Sequence, residues 1–166
     1  MKLNHKLEID LKQFIRTGKF DYLKLGMTKE EVLKTLPEPE DHSGWDFMKS
    51  NIWYYGNFEL HFKEDQLFMM FTDHINSIDG GATFKVDTWI IGKPEENRLI
   101  NFMVVLIREK IDFVKTTNIM GQVILKGIDT GIKLVFDLPD RVTPDTEIKD
   151  PNDFELVAIA RIDKNA

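Results

Sequence analysis

Cysteine is absent from all 166 residues, which excludes disulfides, thiolate nucleophiles, zinc-finger ligation and a lipidated cysteine anchor. Histidine is scarce, at four residues, and no two stand in a closely spaced pair or a helical His-x-x-x-His arrangement. The nearest thing to a ligand set is His61, Asp73 and His74, without the spacing that makes the three or four ligands of a zinc site converge. No metal and no cofactor is expected. Serine occurs only at Ser43, Ser50 and Ser77, none of them in a Gly-x-Ser-x-Gly elbow, and no glycine-rich loop runs into Lys-Ser or Lys-Thr. Acid–base carboxylates could be drawn from the 28 Asp and Glu residues, but no motif marks a pair. The densest apolar run, Phe102–Ile107, is far too short to cross a bilayer. Residues 1–6 lead into an amphipathic segment instead of an apolar secretory core, so the cytoplasm is the expected location. Positive charge is in deficit too. A net charge of −6 disfavours nucleic acid and anionic membranes and suits a basic partner.

What is present reads as short helices and hairpins. Leu7, Leu11, Phe14 and Ile15 fall on one helical face, so a helix is predicted over Leu7–Thr17, stopped by Gly18. Thr28 and Glu31 make a Thr-x-x-Glu capping box for a second helix, with Val32, Leu33 and Leu36 as its apolar stripe. Pro37 and Pro39 end it. Three strands then follow, Asn51–Tyr55, Phe58–Phe62 and Gln66–Thr72, turning at Gly56-Asn57 and at Glu64-Asp65.

Pairing through these two-residue turns sets Tyr55 opposite Phe58, Trp53 opposite Leu60, Phe62 opposite Leu67, Leu60 opposite Met69 and Phe58 opposite Phe71. That is the expected core face. The other face carries Ile52, Tyr54, Glu59, His61, Phe68 and Met70, which is too apolar for a fully solvated sheet. Such a face is covered by the chain's own segments, covered by a second copy, or kept for a partner. These six residues are the candidate partner-binding set. Of the tryptophans, Trp53 and Trp89 read as core, and Trp45 in its Ser-Gly-Trp loop reads as surface.

The second half follows the same order. A short strand is expected over Phe84–Ile91, a helix over Glu95–Lys110 with Leu99, Phe102, Met103, Leu106 and Ile107 as its stripe, and strands over Gln122–Ile128 and Gly131–Asp137. A polar loop, Asp137–Asp153, leads to a last strand over Phe154–Ile162. Phe58-Glu-Leu-His-Phe62 and Ile132-Lys-Leu-Val-Phe136 occupy matching places in the two halves. The expected fold is therefore α+β. It comprises two sequential helix-plus-antiparallel-meander modules, residues 1–83 and 84–166, which could share one domain, with the helices on one sheet face. Leu60, Phe62, Leu99, Phe102, Leu106 and Leu134 are the predicted core.

Leu23, Gly26, Met27, Thr28, Glu31, Val32, Leu36 and Pro39, followed by Trp53-Tyr54-Tyr55, form a pattern that resembles small outer-membrane lipoproteins of β-barrel assembly. Pro37 stands where those proteins usually have glycine, and the lipoprotein cysteine is missing. The tandem order resembles two-repeat β-lactamase inhibitor proteins, whose helices back a curved sheet. The whole also resembles bacterial proteins encoded beside toxins and regarded as immunity proteins. The resemblance implies a non-enzymatic protein-binding module, such as an immunity-type inhibitor of a toxin, and no catalytic residues. The other readings are a homo-oligomeric structural protein and a small enzyme without a recognisable motif.

Overall fold

The computed structural model describes residues 4–139, 150 and 153–163. The protein is α+β. In chain order it comprises β1 (Leu7–Asp10), α1 (Leu11–Thr17), α2 (Lys29–Thr35), β2 (Asp41–His42), β3 (Ile52–Tyr55), β4 (Phe58–Lys63) and β5 (Gln66–Thr72). Then come β6 (Phe84–Asp87), α3 (Leu99–Arg108), β7 (Phe113–Thr117), β8 (Val123–Gly127), β9 (Ile132–Asp137) and β10 (Glu155–Ile162). Eight strands form one sheet in the order β2-β3-β4-β5-β10-β9-β8-β7, antiparallel at every pairing. A separate parallel pair joins β1 to β6. The loop expected at Asp137–Asp153 lies for the most part outside the described residues.

Local chemistry explains most of the boundaries. The Thr28 hydroxyl accepts from the Glu31 amide at 3.2 Å and the Glu31 carboxylate accepts from the Thr28 amide at 2.9 Å, so the capping box closes as read. Such a cap is worth about 1 kcal/mol. Lys29 follows it and is buried. Its ammonium donates to the Met48 carbonyl at 2.9 Å, lies 3.7 Å from Asp65 and sits 5.5 Å over the Phe62 ring. One side chain thereby fixes α2 against the β2–β3 loop and the β4–β5 turn.

The first predicted helix is half strand. Leu7 and Ile9 alternate with Glu8 and Asp10 and pair with Phe84–Asp87. Only at Asp10, whose carboxylate accepts from the Gln13 amide at 3.0 Å, does a helix begin. Pairing with a distant strand outweighs the helical spacing, and the cap sets the boundary. The helix predicted over Glu95–Lys110 is likewise shorter. The Asn97 carbonyl accepts from the Leu156 amide and the Leu99 amide donates to the Phe154 carbonyl, both at 2.9 Å, so β10 takes the groups an earlier start would need. The strand predicted to Ile91 ends at Asp87, and strands β2 and β7 arise where no element was foreseen.

The six predicted core residues are all buried. Around them, Phe14, Phe20, Phe58 and Phe84 meet edge-on with ring centroids 5.4–6.2 Å apart, and Phe102 meets Phe136 at 5.7 Å. Trp53 is fully buried, with its indole N–H donating to the Phe47 carbonyl at 2.6 Å. Full burial of each such side chain stabilises by roughly 1.5–3 kcal/mol.

The register departs from the reading at one place. Phe62 pairs with Leu67 as expected, but His61 pairs with Met69, Leu60 with Met70 and Glu59 with Phe71. Phe68 is the extra residue of a β-bulge. Past it every side chain of β5 changes face, since the side-chain period in a strand is two residues. A second bulge, at Val157, lies between Leu156 and Ala158 in β10.

Candidate functional site

Along β3 and β4 buried and half-exposed residues alternate strictly, so Ile52, Tyr54, Glu59 and His61 share the face opposite to Trp53, Tyr55, Leu60 and Phe62. The bulge removes Met70 from this set. Met70 is 5% exposed and belongs to the core, and Met69 and Phe71 stand on the outer face in its place. Phe68, at the bulge, keeps its ring 6.2 Å from that of His61, and Phe71 brings its ring to 6.1 Å. His61 is thus flanked by two aromatic edges, while its Nε2 lies 2.7 Å from the Glu59 carboxylate.

Register across the whole sheet extends this face beyond the six residues first singled out. One transverse row begins Asp41, Tyr54, Glu59, Phe71 from β2 to β5. It continues Ala160, Lys133, Lys126, Val114 from β10 to β7. On one side lies the row Ile52, His61, Met69, Ile162, and on the other Ala158, Val135, Ile124, Thr116. Cross-strand neighbours point to the same side, so these rows make one surface. Along the first row the aromatic and acidic residues lie on β2–β5 and the lysines on β8 and β9.

Half-exposed apolar residues of this chain fall into two groups. Tyr22, Leu33, Phe47, Trp89, Met103 and Phe113 pack against the buried core. Ile52, Tyr54, Phe68, Met69, Phe71, Ile124 and Val135 do not join it. Burial among these neighbours pushes the Tyr54 phenol above its ordinary pKa, with the Glu59, Asp41 and Asp73 carboxylates adding to the effect. A phenol held protonated between carboxylates is a hydrogen-bond donor beside negative charge.

Among the described residues no group of three or more His, Asp or Glu side chains is placed to hold a metal ion. His61 turns to Glu59, whereas His74 lies 3.6 Å from Asp73. A hollow of about 730 Å³ beside β1 and β6 has Glu8, Asp10, Asp21 and Asp87 in its wall. Three of these acids have structural partners. Glu8 meets Lys85 at 2.9 Å, Asp10 caps α1, and Asp87 accepts from the Trp89 amide at 2.9 Å. Trp45 stands fully exposed in its loop, Trp53 is core, and Trp89 packs against the core half-buried.

No protein-family model matches the chain, and no curated protein or solved structure matches it either. No helix among the described residues is long and apolar enough to cross a membrane. The residues missed at first are Met69, Phe71, Ile124, Lys126, Lys133 and Val135. Hairpin logic across Asp129-Thr130 would have paired Ile124 with Val135. No residue pattern announced the bulge or the β5–β10 junction.

Proposed function

We propose that this chain is a non-enzymatic protein-binding module that docks its partner on the outer face of the eight-stranded sheet. The observation that carries the reading is the apolar set Ile52, Tyr54, Phe68, Met69 and Phe71, which stays half-exposed and outside the core. Contiguous apolar surface of this kind, rimmed by charge, is what protein interfaces use. Two sequential helix-plus-meander modules supply the scaffold, α2 with β2–β5 and α3 with β7–β10. The Phe102–Phe136 ring contact and the Lys29 ammonium over Phe62 support placing both helices on the face opposite to the docking surface. The partner is a basic protein, met by Asp41, Glu59 and Asp73 around Tyr54, and the resemblance makes an immunity-type inhibitor of a toxin the form the binding takes.

Tyr54 and Phe68 act as anchors, with His61 and Glu59 setting polarity between them. Replacing both anchors, Tyr54→Ala with Phe68→Ala, leaves the thermal unfolding curve cooperative and weakens partner binding by about 2–4 kcal/mol in calorimetry. Unchanged affinity in a folded double variant removes the anchors and with them this reading.

A further inference from the structure

One row of the outer face is patterned in both charge and height. Lys126 and Lys133 are directly paired across β8 and β9, like charges that repel one another in a sheet, with Asp129 and Asp163 in the wall of the same hollow. On the other side of the same row Glu59 stands beside Phe71 and Tyr54. The row also has a step in height at its centre, where Phe71 of β5 pairs with Ala160 of β10. Along this row acid and aromatic bulk lie on one side of the β5–β10 junction and base and a small residue on the other, while Lys63, Asp137 and Glu155 face outward beyond the row.

These features are complementary under one symmetry operation. We propose that a second copy of this chain seats on the face, the two sheets stacked about a two-fold axis that runs along the strands between β5 and β10. The proposal rests on the reading of the outer face as a docking surface and names its occupant while no other partner is bound. A rotation of this kind sets Phe71 of each copy over Ala160 of the other, Glu59 over Lys133, and Tyr54 over Lys126. Bulk then meets a gap, carboxylate meets ammonium, and ammonium meets an aromatic face. A two-fold axis across the strands would set acid on acid and lysine on lysine, so the charge pattern selects the first axis. Face-to-face sheets pack about 10 Å apart with strands roughly aligned, a geometry the alternation of outer residues already suits. Eight strands about 4.8 Å apart and about 17 Å long offer roughly 650 Å² per copy, or roughly 1,300 Å² in the pair, within the range of stable interfaces. A partner that binds the same face competes with the second copy, so its apparent affinity falls as the protein is concentrated.

Charge reversal tests the pairing, read by light scattering on a sizing column over about 1–100 μM. The full chain runs as a dimer. Glu59→Lys and Lys133→Glu each raise the dimer dissociation constant by at least about 100-fold, since each creates two like-charge contacts across the interface. The double variant E59K/K133E runs as a dimer again, and an equimolar mixture of the two single variants forms a heterodimer. That rescue also shows that the single variants were folded. A monomeric wild-type chain across the whole range overturns the second copy and leaves the docking reading to be judged by the Tyr54 and Phe68 anchors. A dimer indifferent to both reversals places the contact elsewhere and ends the proposal.

Discussion

The bulge at Phe68 decides which residues of β5 form the core and which form the outer face, and adjacent methionines make it measurable. With the bulge, Met70 pairs with Leu60 and points inward, and Met69 pairs with His61 and points outward. Without it the two exchange roles. Met70→Ala therefore costs about 2–5 kcal/mol, because a nearly closed site loses transfer energy and keeps a cavity. Met69→Ala costs less than about 1 kcal/mol, as a surface substitution does. A third variant, deletion of Phe68, is the stronger test. In the bulged register it removes the unpaired residue and leaves Leu67, Met70 and Thr72 inward. The loss is then one ring contact with His61 and the 3.0 Å bond from the Asp163 amide to the Phe68 carbonyl, about 1–2 kcal/mol in all. In a regular register the same deletion would turn Phe71 out of the core and bring Thr72 in, a loss of about 3–5 kcal/mol or more. Urea unfolding followed by tryptophan fluorescence, to which buried Trp53 contributes, gives all three values. Met69→Ala costing more than Met70→Ala, together with an unfolded deletion variant, would refute the bulge and the outer face built on it.

Two further outcomes follow from single residues. Tyr55 is fully buried, donates to the Pro37 carbonyl at 2.8 Å, and burial, with Glu40 adding to it, pushes its phenol well above the ordinary tyrosine range. Its neutral form is the one the fold holds, so this stability is fully present below about pH 10 and is lost as pH rises beyond it. Tyr55→Phe makes the fall of stability with pH above that point shallower, and parallel wild-type and variant curves in alkaline urea titrations would count against it. In the β4–β5 turn, Glu64 and Asp65 both have positive φ, at 50° and 66°, the pattern of a type I′ turn without the residues that favour it. Glu64→Asn relieves the first and spares Asp65 for Lys29, so the urea midpoint rises by the equivalent of about 0.5–1 kcal/mol, where a fall would mean that Glu64 has a role of its own.

Much of the fold is legible because its local chemistry is strong. The Thr28–Glu31 box, the glycine at the β3–β4 turn and the alternation of β3, β4 and β9 each specify one conformation, and the six core residues follow from them. What fails to show in the sequence is pairing at a distance. Leu7 and Ile9 fit a helix face as well as a strand, and only Phe84 and Val86, nearly eighty positions on, make them a strand. The Glu95–Asn97 turn looks like the start of α3 until β10 arrives to claim its backbone. The bulge is harder still. Leu67, Phe68, Met69, Met70 and Phe71 are all apolar, so either register buries apolar side chains and nothing local discriminates between them. The run is continuous because both faces of β5 are in demand.

That last property bears on what the sheet is for. A strand solvated on one side can carry polar residues there at no cost to folding, and Glu59 and Lys133 show that this chain places them where it can. β5 and β10 are central strands, paired on both edges, and their outward positions are Met69, Phe71, Ala158, Ala160 and Ile162. An apolar strip at the middle of the sheet, half-exposed at Met69, Phe71 and Ile162, adds little to the stability of a lone chain and promotes association. Along the row from Asp41 to Val114 the charges on the two sides are of opposite sign, which restricts what can associate and in which orientation. Core packing alone would not produce that arrangement, because the inner face is complete without it. On the proposed reading a partner covers the outer strip, and the sign change along the row from Asp41 to Val114 makes the choice of partner a question that two charge reversals can answer.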